Sequence, residues 1–190
     1  PVYNREKDLM VAVQSVFEQT YKPLEIIIID DHSSVPVDIR ELQNMNPIIP
    51  VIYIRNRRNL GAAKSRNIGI QQAKGNLIAF LDSDDYWLPK KLELQTALFD
   101  STNDLDVVYC DQLKRNGSNI LPSNKILINN DLLKNLLKGW TAPNTSTLLI
   151  KREFLLRVGM FDENLTSCQD HDLWFKVATS NSVVNYVSEP

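Results

Sequence analysis

Three carboxylates fall within four positions at Asp82, Asp84 and Asp85, directly after the apolar run Ile78-Ala79-Phe80-Leu81. Such a run reads as a buried strand, and open α/β sheets take their ligands beyond the carboxyl ends of strands. Two Asp separated by one residue can both turn toward one hard divalent ion, leaving coordination positions for substrate phosphates. The same letters, Asp-Ser-Asp-Asp, also suit a solvated turn or helix cap, because Asp and Ser favour both. Their neighbours must decide between the two.

Other residues carry related chemistry. The β-branched run from Leu24 to Ile29 ends in Asp30-Asp31-His32-Ser33-Ser34, a second acidic strand end. Lys64, Arg66 and Asn67 stand near the start of an expected helix, where cations oppose the helix dipole and a bound anion would relieve the conflict. Asp170 opens a late amphipathic segment at its positive end, where an ionised carboxylate is favoured. His32 and His171 read as hydrogen-bonded structural residues and neither is assigned to a metal. Trp87, Trp140 and Trp174 could offer a ring face to a ligand, with Trp140 in the polar segment 139–144 the best placed, although large aromatics are more often core. Lys64 is expected to be solvated and Asp172 structural.

The elements that must position these residues follow from composition and periodicity. At 190 residues and 43% hydrophobic, the chain can bury the core of one domain. A net charge of −2 offers no field for wrapping nucleic acid, which is excluded as a partner. Cys110 and Cys168 lack metal or redox spacing and are expected to be reduced packing residues in a cytosolic setting. No apolar stretch approaches the ~20 residues of a membrane span. Pro1-Val2-Tyr3-Asn4 and the run from Val183 to Pro190 read as strand remnants, so the chain is expected to be an excerpt of a longer one.

Leu9, Val13, Val16 and Phe17 fall on one face of a first helix within residues 5–20. Then come a strand over 24–29, a helix over 37–45, a strand over 51–54, a turn over 56–61 and a helix over 62–73 capped by a left-handed Gly75. The central strand runs to Asp82, and Pro89 starts a helix to about Phe99, with Leu92 and Leu98 inward. Alternation of strand and helix predicts a mostly parallel sheet covered on both sides. Beyond it, 107–110 reads as a strand, 111–125 as a polar loop and 130–138 as a short helix. Thr145–Ile150 reads as a strand, 151–158 as a helix closed by Gly159, and 170–180 as a last amphipathic helix.

Taken in order and spacing, Pro1-Val2-Tyr3-Asn4, Ile29-Asp30-Asp31-His32-Ser33, Ser65-Arg66-Asn67-Ile68-Gly69, Phe80-Leu81-Asp82-Ser83-Asp84-Asp85-Tyr86-Trp87 and Gln169-Asp170-His171-Asp172-Leu173-Trp174 resemble family 2 glycosyltransferases. The resemblance implies a GT-A fold, a nucleotide-binding αβα sandwich, and transfer of a sugar from a nucleotide donor with inversion. It implies a donor site of Pro1, Tyr3, Glu6, Asp31, Arg66, Asp82 and Ser83. There Tyr3 would lie against the base, Glu6 near its rim, Asp31 on the uracil imide, and the ribose near Asp82 and Ser83. Asp84, assisted by Asp82, would hold Mg or Mn, and Asp170 would be the general base. Gln169 departs from the family's usual Glu-Asp pair and removes a neighbouring charge.

The expectation is therefore one GT-A domain over 1–190, with a nucleotide-sugar part over about 1–110 and an acceptor part over about 111–190. Its activity would be inverting hexosyl or N-acetylhexosaminyl transfer from a nucleotide sugar, most plausibly a UDP-sugar. The acceptor would be a glycan or lipid-linked sugar in surface polysaccharide synthesis, in the cytoplasm and at the inner face of the membrane through missing segments. The alternatives are a non-catalytic GT-A-like domain that binds nucleotide or glycan, and a sugar nucleotidyltransferase. The latter expects a Gly-rich phosphate loop that residues 4–20, without glycine, do not provide.

Overall fold

The computed structural model describes residues 1–116, 119–122, 132–138 and 142–190. Helix α1 (Glu6–Phe17) buries Leu9, Val13, Val16 and Phe17, the face its periodicity predicts. Strand β1 (Ile26–Asp30) is apolar until its last residue. Helix α2 (Ile39–Met45), capped by the Asp38 side chain accepting from the Arg40 amide at 2.9 Å, carries the chain to β2 (Val51–Arg55). The strands pair in parallel, Ile26 opposite Val51 through Asp30 opposite Arg55. Continuous β-branched strands suit such a pair, because helices cover its faces.

Helix α3 (Ala62–Gln72) lies against β1. It leads to β3 (Leu77–Ala79), α4 (Lys91–Ser101) and β4 (Leu105–Cys110), whose six residues are all buried. A hairpin of β5 (Leu113–Asn116) and β6 (Asn119–Pro122) follows, then α5 (Leu132–Leu137), β7 (Leu149–Lys151) and α6 (Arg152–Arg157). Helix α7 (Gln169–Thr179) and β8 (Val183–Val187) complete the described elements. The second sheet has the order β3-β7-β4-β8, with β4 and β8 parallel and β7 antiparallel to both neighbours.

The expected α/β sandwich thus holds, with β7 as its reversed strand. Three local expectations need correction. Within 111–125, expected as a loop, Leu113 pairs with Pro122 and Asn116 with Asn119; the intervening Gly117-Ser118 is a two-residue hairpin signal in the sequence that the surrounding polar residues obscured. The strand expected over Thr145–Ile150 begins with a 3₁₀ turn at Thr145–Thr147, set by the Asn144 side chain accepting from the Ser146 amide at 3.0 Å. Gly75 is not left-handed: α3 ends on an extended Ala73, and the positive-φ glycines among the described residues are Gly61 and Gly159.

The larger core gathers Phe80, Tyr109, Phe154, Phe161, Leu173 and Trp174. Tyr109 meets Trp174, and Phe80 meets Phe161, edge to face at 5.6 and 5.3 Å. Such pairs add to area burial the attraction of a ring edge for a ring face. Between β1 and β3 runs a cavity of about 450 Å³, lined chiefly by apolar residues such as Val13, Ile27, Ile29, Ile78 and Leu81. It touches polar site residues at Ser65, Arg66 and Ser83. A charged ligand belongs on the open acidic face beside this cavity, since burying its charge among Ile and Leu would be costly.

Candidate active site

Backbone pairing assembles the first wall. The Val2 amide donates to the Ile29 carbonyl and the Asp31 amide to the Val2 carbonyl, both at 2.8 Å, so Tyr3 and Asn4 sit beside the end of β1. Asn4 then ties in twice, its amide to Ser33 Oγ at 2.9 Å and its Oδ1 accepting from the Ser34 amide at 2.7 Å. Tyr3 is 49% exposed, which leaves its ring available to a ligand. Glu6 accepts from the Asp38 amide at 3.2 Å.

The paired acids at the end of β1 have different work. Asp30 is fully buried, accepts from the Ser33 amide and from Tyr53 Oη at 2.6 Å, and forms an ion pair with Arg55 at 3.3 Å. Burial pushes its carboxyl up, but the bonds from Ser33 and Tyr53 and the Arg55 charge outweigh it and hold the pKa below the usual range. Tyr53 is pushed up to about 12 by burial and by its bond to Asp30. Asp31, also buried, accepts from the Leu60 and Gly61 amides and from Asn56 Nδ2, each at 2.8 Å. Its carboxylate therefore clamps the 56–61 turn at the start of α3. Gly61, at φ +87, lets the chain enter that helix.

The chain of bonds continues into the acidic turn. Asn56 Nδ2 also reaches Ser65 Oγ at 3.1 Å, and the next residue, Arg66, is buried and paired with Asp82. Arg66 lies over the Phe161 ring at 5.4 Å, and its Nη2 is 3.4 Å from Thr145 Oγ1. Its Nε is buried without a hydrogen-bond partner among the described residues. Thr145 Oγ1 donates to Asp82 at 3.3 Å, and Ser146 Oγ accepts from the Asp82 amide at 3.1 Å. Asn144 Nδ2 lies 3.5 Å from Asp85. Burial pushes the Asp85 carboxyl above its usual range against an opposing Ser146 bond, and Asp82 and Asp84 add to the rise. Ser83 is buried in the turn. Asp84 is half-exposed and paired with Arg5, the residue that precedes α1.

A buried platform holds that turn. Lys91, 3% exposed, lies 4.3 Å from the Trp87 ring centre and donates to Gln95 Oε1 at 2.7 Å. Trp87 Nε1 and Gln95 Nε2 donate to the Ser146 and Thr147 carbonyls, each at 2.8 Å. Burial lowers the Lys91 pKa to about 8.

Asp170 arrives from the other half of the chain, in the first turn of α7 after a left-handed Cys168. One helical turn further, Trp174 is buried, with Nε1 donating to the Pro143 carbonyl at 3.0 Å. Residues i and i+4 share a helix face, so Asp170 stands at the end of α7 on the side that meets the 143–146 segment. Its carboxylate has no hydrogen bond or ion pair among the described residues. Gln169 Nε2 donates to the Leu165 carbonyl at 3.0 Å, a bond that a Glu carboxylate could not donate. Asp172 is structural, paired with Lys176 at 2.8 Å.

The structure thus bonds Asp31 through Asn56 to Ser65, and the neighbouring Arg66 to Asp82, with Tyr3 and Ser83 alongside; Glu6 points to α2 instead. Pro1, the first residue, leads into the Val2 bridge. Trp87 and Trp174 are buried with their indole N–H groups bonded to backbone, so neither is placed to stack on a sugar. Trp140 lies outside the described residues. Cys110 is buried, but Cys168 is exposed and packs no core. Lys64 is held by Glu163 instead of being freely solvated. Sequence reasoning missed Arg5, Asn56, Thr145 and Ser146. The available signal was Asn144-Thr145-Ser146-Thr147, a capping-type run that breaks a strand pattern.

Asp82 and Asp84 offer hard oxygen ligands, whose chemistry fits Mg or Mn better than a softer metal. Among the described residues no three His, Cys, Asp or Glu gather as a ligand set. An ion here would need oxygens from a bound ligand to fill its shell.

Residues 1–163 match the family model described as Glycosyl transferase family 2. An Escherichia coli relative named UDP-Glc:alpha-D-GlcNAc-diphosphoundecaprenol beta-1,3-glucosyltransferase WfgD is 30% identical over 186 residues, covering 96% of this chain and 69% of its own length. The structure of S. aureus TarS 1-349 in complex with UDP aligns with a TM-score of 0.80 at 24% identity, over 100% of this chain and 56% of that one. The mannosyltransferase PcManGT from Pyrobaculum calidifontis, in complex with GDP-Man and Mn2+, aligns with a TM-score of 0.74 at 19% identity, over 99% and 53%. These likenesses establish the GT-A fold. This chain spans between 26% and 69% of the length of relatives that it matches. The chain belongs to glycosyl transferase family 2.

Proposed function

We propose that this chain is the catalytic domain of an inverting, metal-dependent glycosyltransferase. It would move a hexosyl or N-acetylhexosaminyl group from a UDP-sugar to a hydroxyl of a glycan or lipid-linked acceptor, in cell-surface polysaccharide synthesis. The observation that carries this reading is a pair of bonded runs, Asp31-Asn56-Ser65 and Arg66-Asp82-Thr145, brought side by side by the adjacency of Ser65 and Arg66 on α3. The UDP bound to TarS and the lipid-linked acceptor in the name of WfgD support the choice of substrates.

Tyr3 offers the base a ring face. The Asp31 clamp presents the 56–61 turn, and the carboxylate can take the base imide as a further donor. Arg66 meets phosphate charge through its unpaired Nε, and a buried guanidinium contacts an anion at full strength because water does not screen it. Asp82 and Asp84 would hold Mg or Mn, which when bound neutralises charge on the departing diphosphate. Asp170 takes the proton of the acceptor hydroxyl as its oxygen bonds to the anomeric carbon. The bond from that carbon to the donor phosphate oxygen breaks on the opposite face, which inverts the centre, and nucleoside diphosphate leaves with the electron pair. Residues 1–110 would form the donor side and 111–190 the acceptor side. We place the reaction in the cytoplasm, at the inner membrane face; no described helix is long and apolar enough to cross a membrane.

The test is UDP release from a panel of UDP-sugars with Mn²⁺, with and without chelator, beside calorimetric UDP binding. Chelator-sensitive release from at least one sugar is expected. UDP binding without release from any donor would favour the non-catalytic binder, and failure to bind any nucleotide would overturn the donor site itself.

A further inference from the structure

The carboxylates on the donor side are neutralised in two unequal ways. Asp82 has Arg66, whose guanidinium is buried, contacts Thr145 and lies over Phe161. Removing that cation would dismantle the turn. Asp84 has Arg5 instead, with both side chains about half exposed. Arg5 has no ring contact and no second carboxylate among the described residues. Ion pairs this exposed cost little to open. Arg5 is thus the readily displaced cation of the site.

A divalent ion bound to Asp84 would meet the Arg5 charge on the same carboxylate, and two cations a few ångströms apart repel. Arg5, half exposed, can move aside as such an ion arrives, whereas Arg66 on Asp82 is buried and cannot. Its backbone is fixed at the start of α1, where the Leu9 amide bonds its carbonyl at 3.0 Å, so the freed guanidinium stays at the mouth of the site. A nucleoside diphosphate entering there brings negative charge, and a planar five-donor cation can hold it through paired hydrogen bonds.

We propose that Arg5 is an exchangeable counter-ion: it occupies Asp84 in the empty site, yields it to a divalent cation, and transfers to the donor diphosphate. The inference rests on the donor-site reading above and adds a positioning residue to it. Two opposite effects follow. Against the metal alone Arg5 is a competitor, and toward metal plus nucleotide it is an ally.

The experiment measures Mn²⁺ affinity of the nucleotide-free protein by electron paramagnetic resonance, and UDP affinity at saturating Mn²⁺ by calorimetry. Both are done for wild type, Arg5→Met and Arg5→Lys. Arg5→Met should bind Mn²⁺ about two- to fivefold more tightly, the scale of an exposed ion pair, and UDP about three- to tenfold more weakly, the scale of one ordinary hydrogen bond at an exposed site. Arg5→Lys keeps the charge without the planar fork, so its changes should have the same signs and smaller size. Affinities that are unchanged, that shift together, or that shift for only one ligand overturn the exchange. Wild type failing to bind both Mn²⁺ and UDP would instead overturn the donor site. A matched thermal melt for Arg5→Met confirms that the fold is intact.

Discussion

The two sides of the proposed site, donor and acceptor, treat their carboxylates differently. On the donor side Asp31 accepts three N–H donors, Asp82 is held by Arg66 and Thr145, and Asp84 by Arg5. On the other side Asp170 has no such partner among the described residues, although Gln169, Asp172 and Trp174 of the same helix are all engaged. The difference is one of occupation of lone pairs. A carboxylate whose oxygens are filled by fixed donors orients a loop or a ligand. One whose oxygens are open, on a helix fixed by its buried face, can take a proton.

The sharpest way to break this comparison is Asp170→Asn. If the open carboxylate is the base, turnover should fall by about 10²- to 10⁴-fold, the usual worth of a positioned proton acceptor. UDP affinity should stay within a factor of about two, because no donor-side contact changes. Activity of the variant equal to wild type would place the base elsewhere and erase the distinction.

Next in size is Arg66→Met. It strands Asp82, whose side chain is 25% exposed, opposite an uncharged partner. Breaking a buried pair costs roughly 3–5 kcal/mol, and the partial exposure of Asp82 lowers that to about 3 kcal/mol. Urea unfolding should report the loss, and UDP binding should weaken with it. A variant as stable as wild type with undiminished UDP affinity would show that the Arg66–Asp82 link carries neither load.

Asp31→Ala should follow closely. It leaves the Leu60 and Gly61 amides and Asn56 Nδ2 without their acceptor. Unmet buried donors cost about 1–3 kcal/mol each, and relaxation of the 56–61 turn toward water brings the expected total to about 2–3 kcal/mol. Amide exchange at Leu60 and Gly61 should accelerate more than at Ile28. Uniform acceleration across β1 would mean that the clamp is not local.

What could be read beforehand divides along the same line. Most of the alternating strands and helices were legible because continuous β-branched runs and the 3.6-residue face of α1 leave few other ways to bury apolar surface. Asp31, Arg66, Asp82 and Asp84 stood out as charged residues at element ends. Their partners did not. Asn56, Ser65, Thr145 and Ser146 are small polar residues common in any loop, and only the folded chain shows that they bond across separations such as 64 positions, from Ser146 to Asp82. Arg5 gave no signal beyond an ordinary charge before a helix. The reversal of β7 was missed because strand direction comes from tertiary pairing, which periodicity does not encode, and the hairpin within 111–125 because its short turn signal lay among polar residues.

The smallest effect tests the platform beneath the donor-side turn. Lys91 is a buried cation whose Nζ bonds Gln95 and faces the Trp87 ring, and burial lowers its pKa to about 8 against an ordinary 10.5. Between those values the unfolded chain holds a proton that the folded chain has released, so stability must rise with pH across that window. Below pH 8 the charged amine carries its full desolvation penalty. Two groups act in the opposite sense at higher pH: Cys110, whose thiol burial pushes up, and Tyr53, pushed up to about 12. The informative quantity is therefore the stability difference between wild type and Lys91→Met, measured by urea unfolding at several pH values from 7 to 10. That difference should be flat below pH 8 and then move toward wild type by about 1–2 kcal/mol by pH 10. A difference that stays constant throughout would mean that Lys91 keeps water in the folded state, and the turn holding Asp82 would then rest on Trp87 and Gln95 without a buried charge among them.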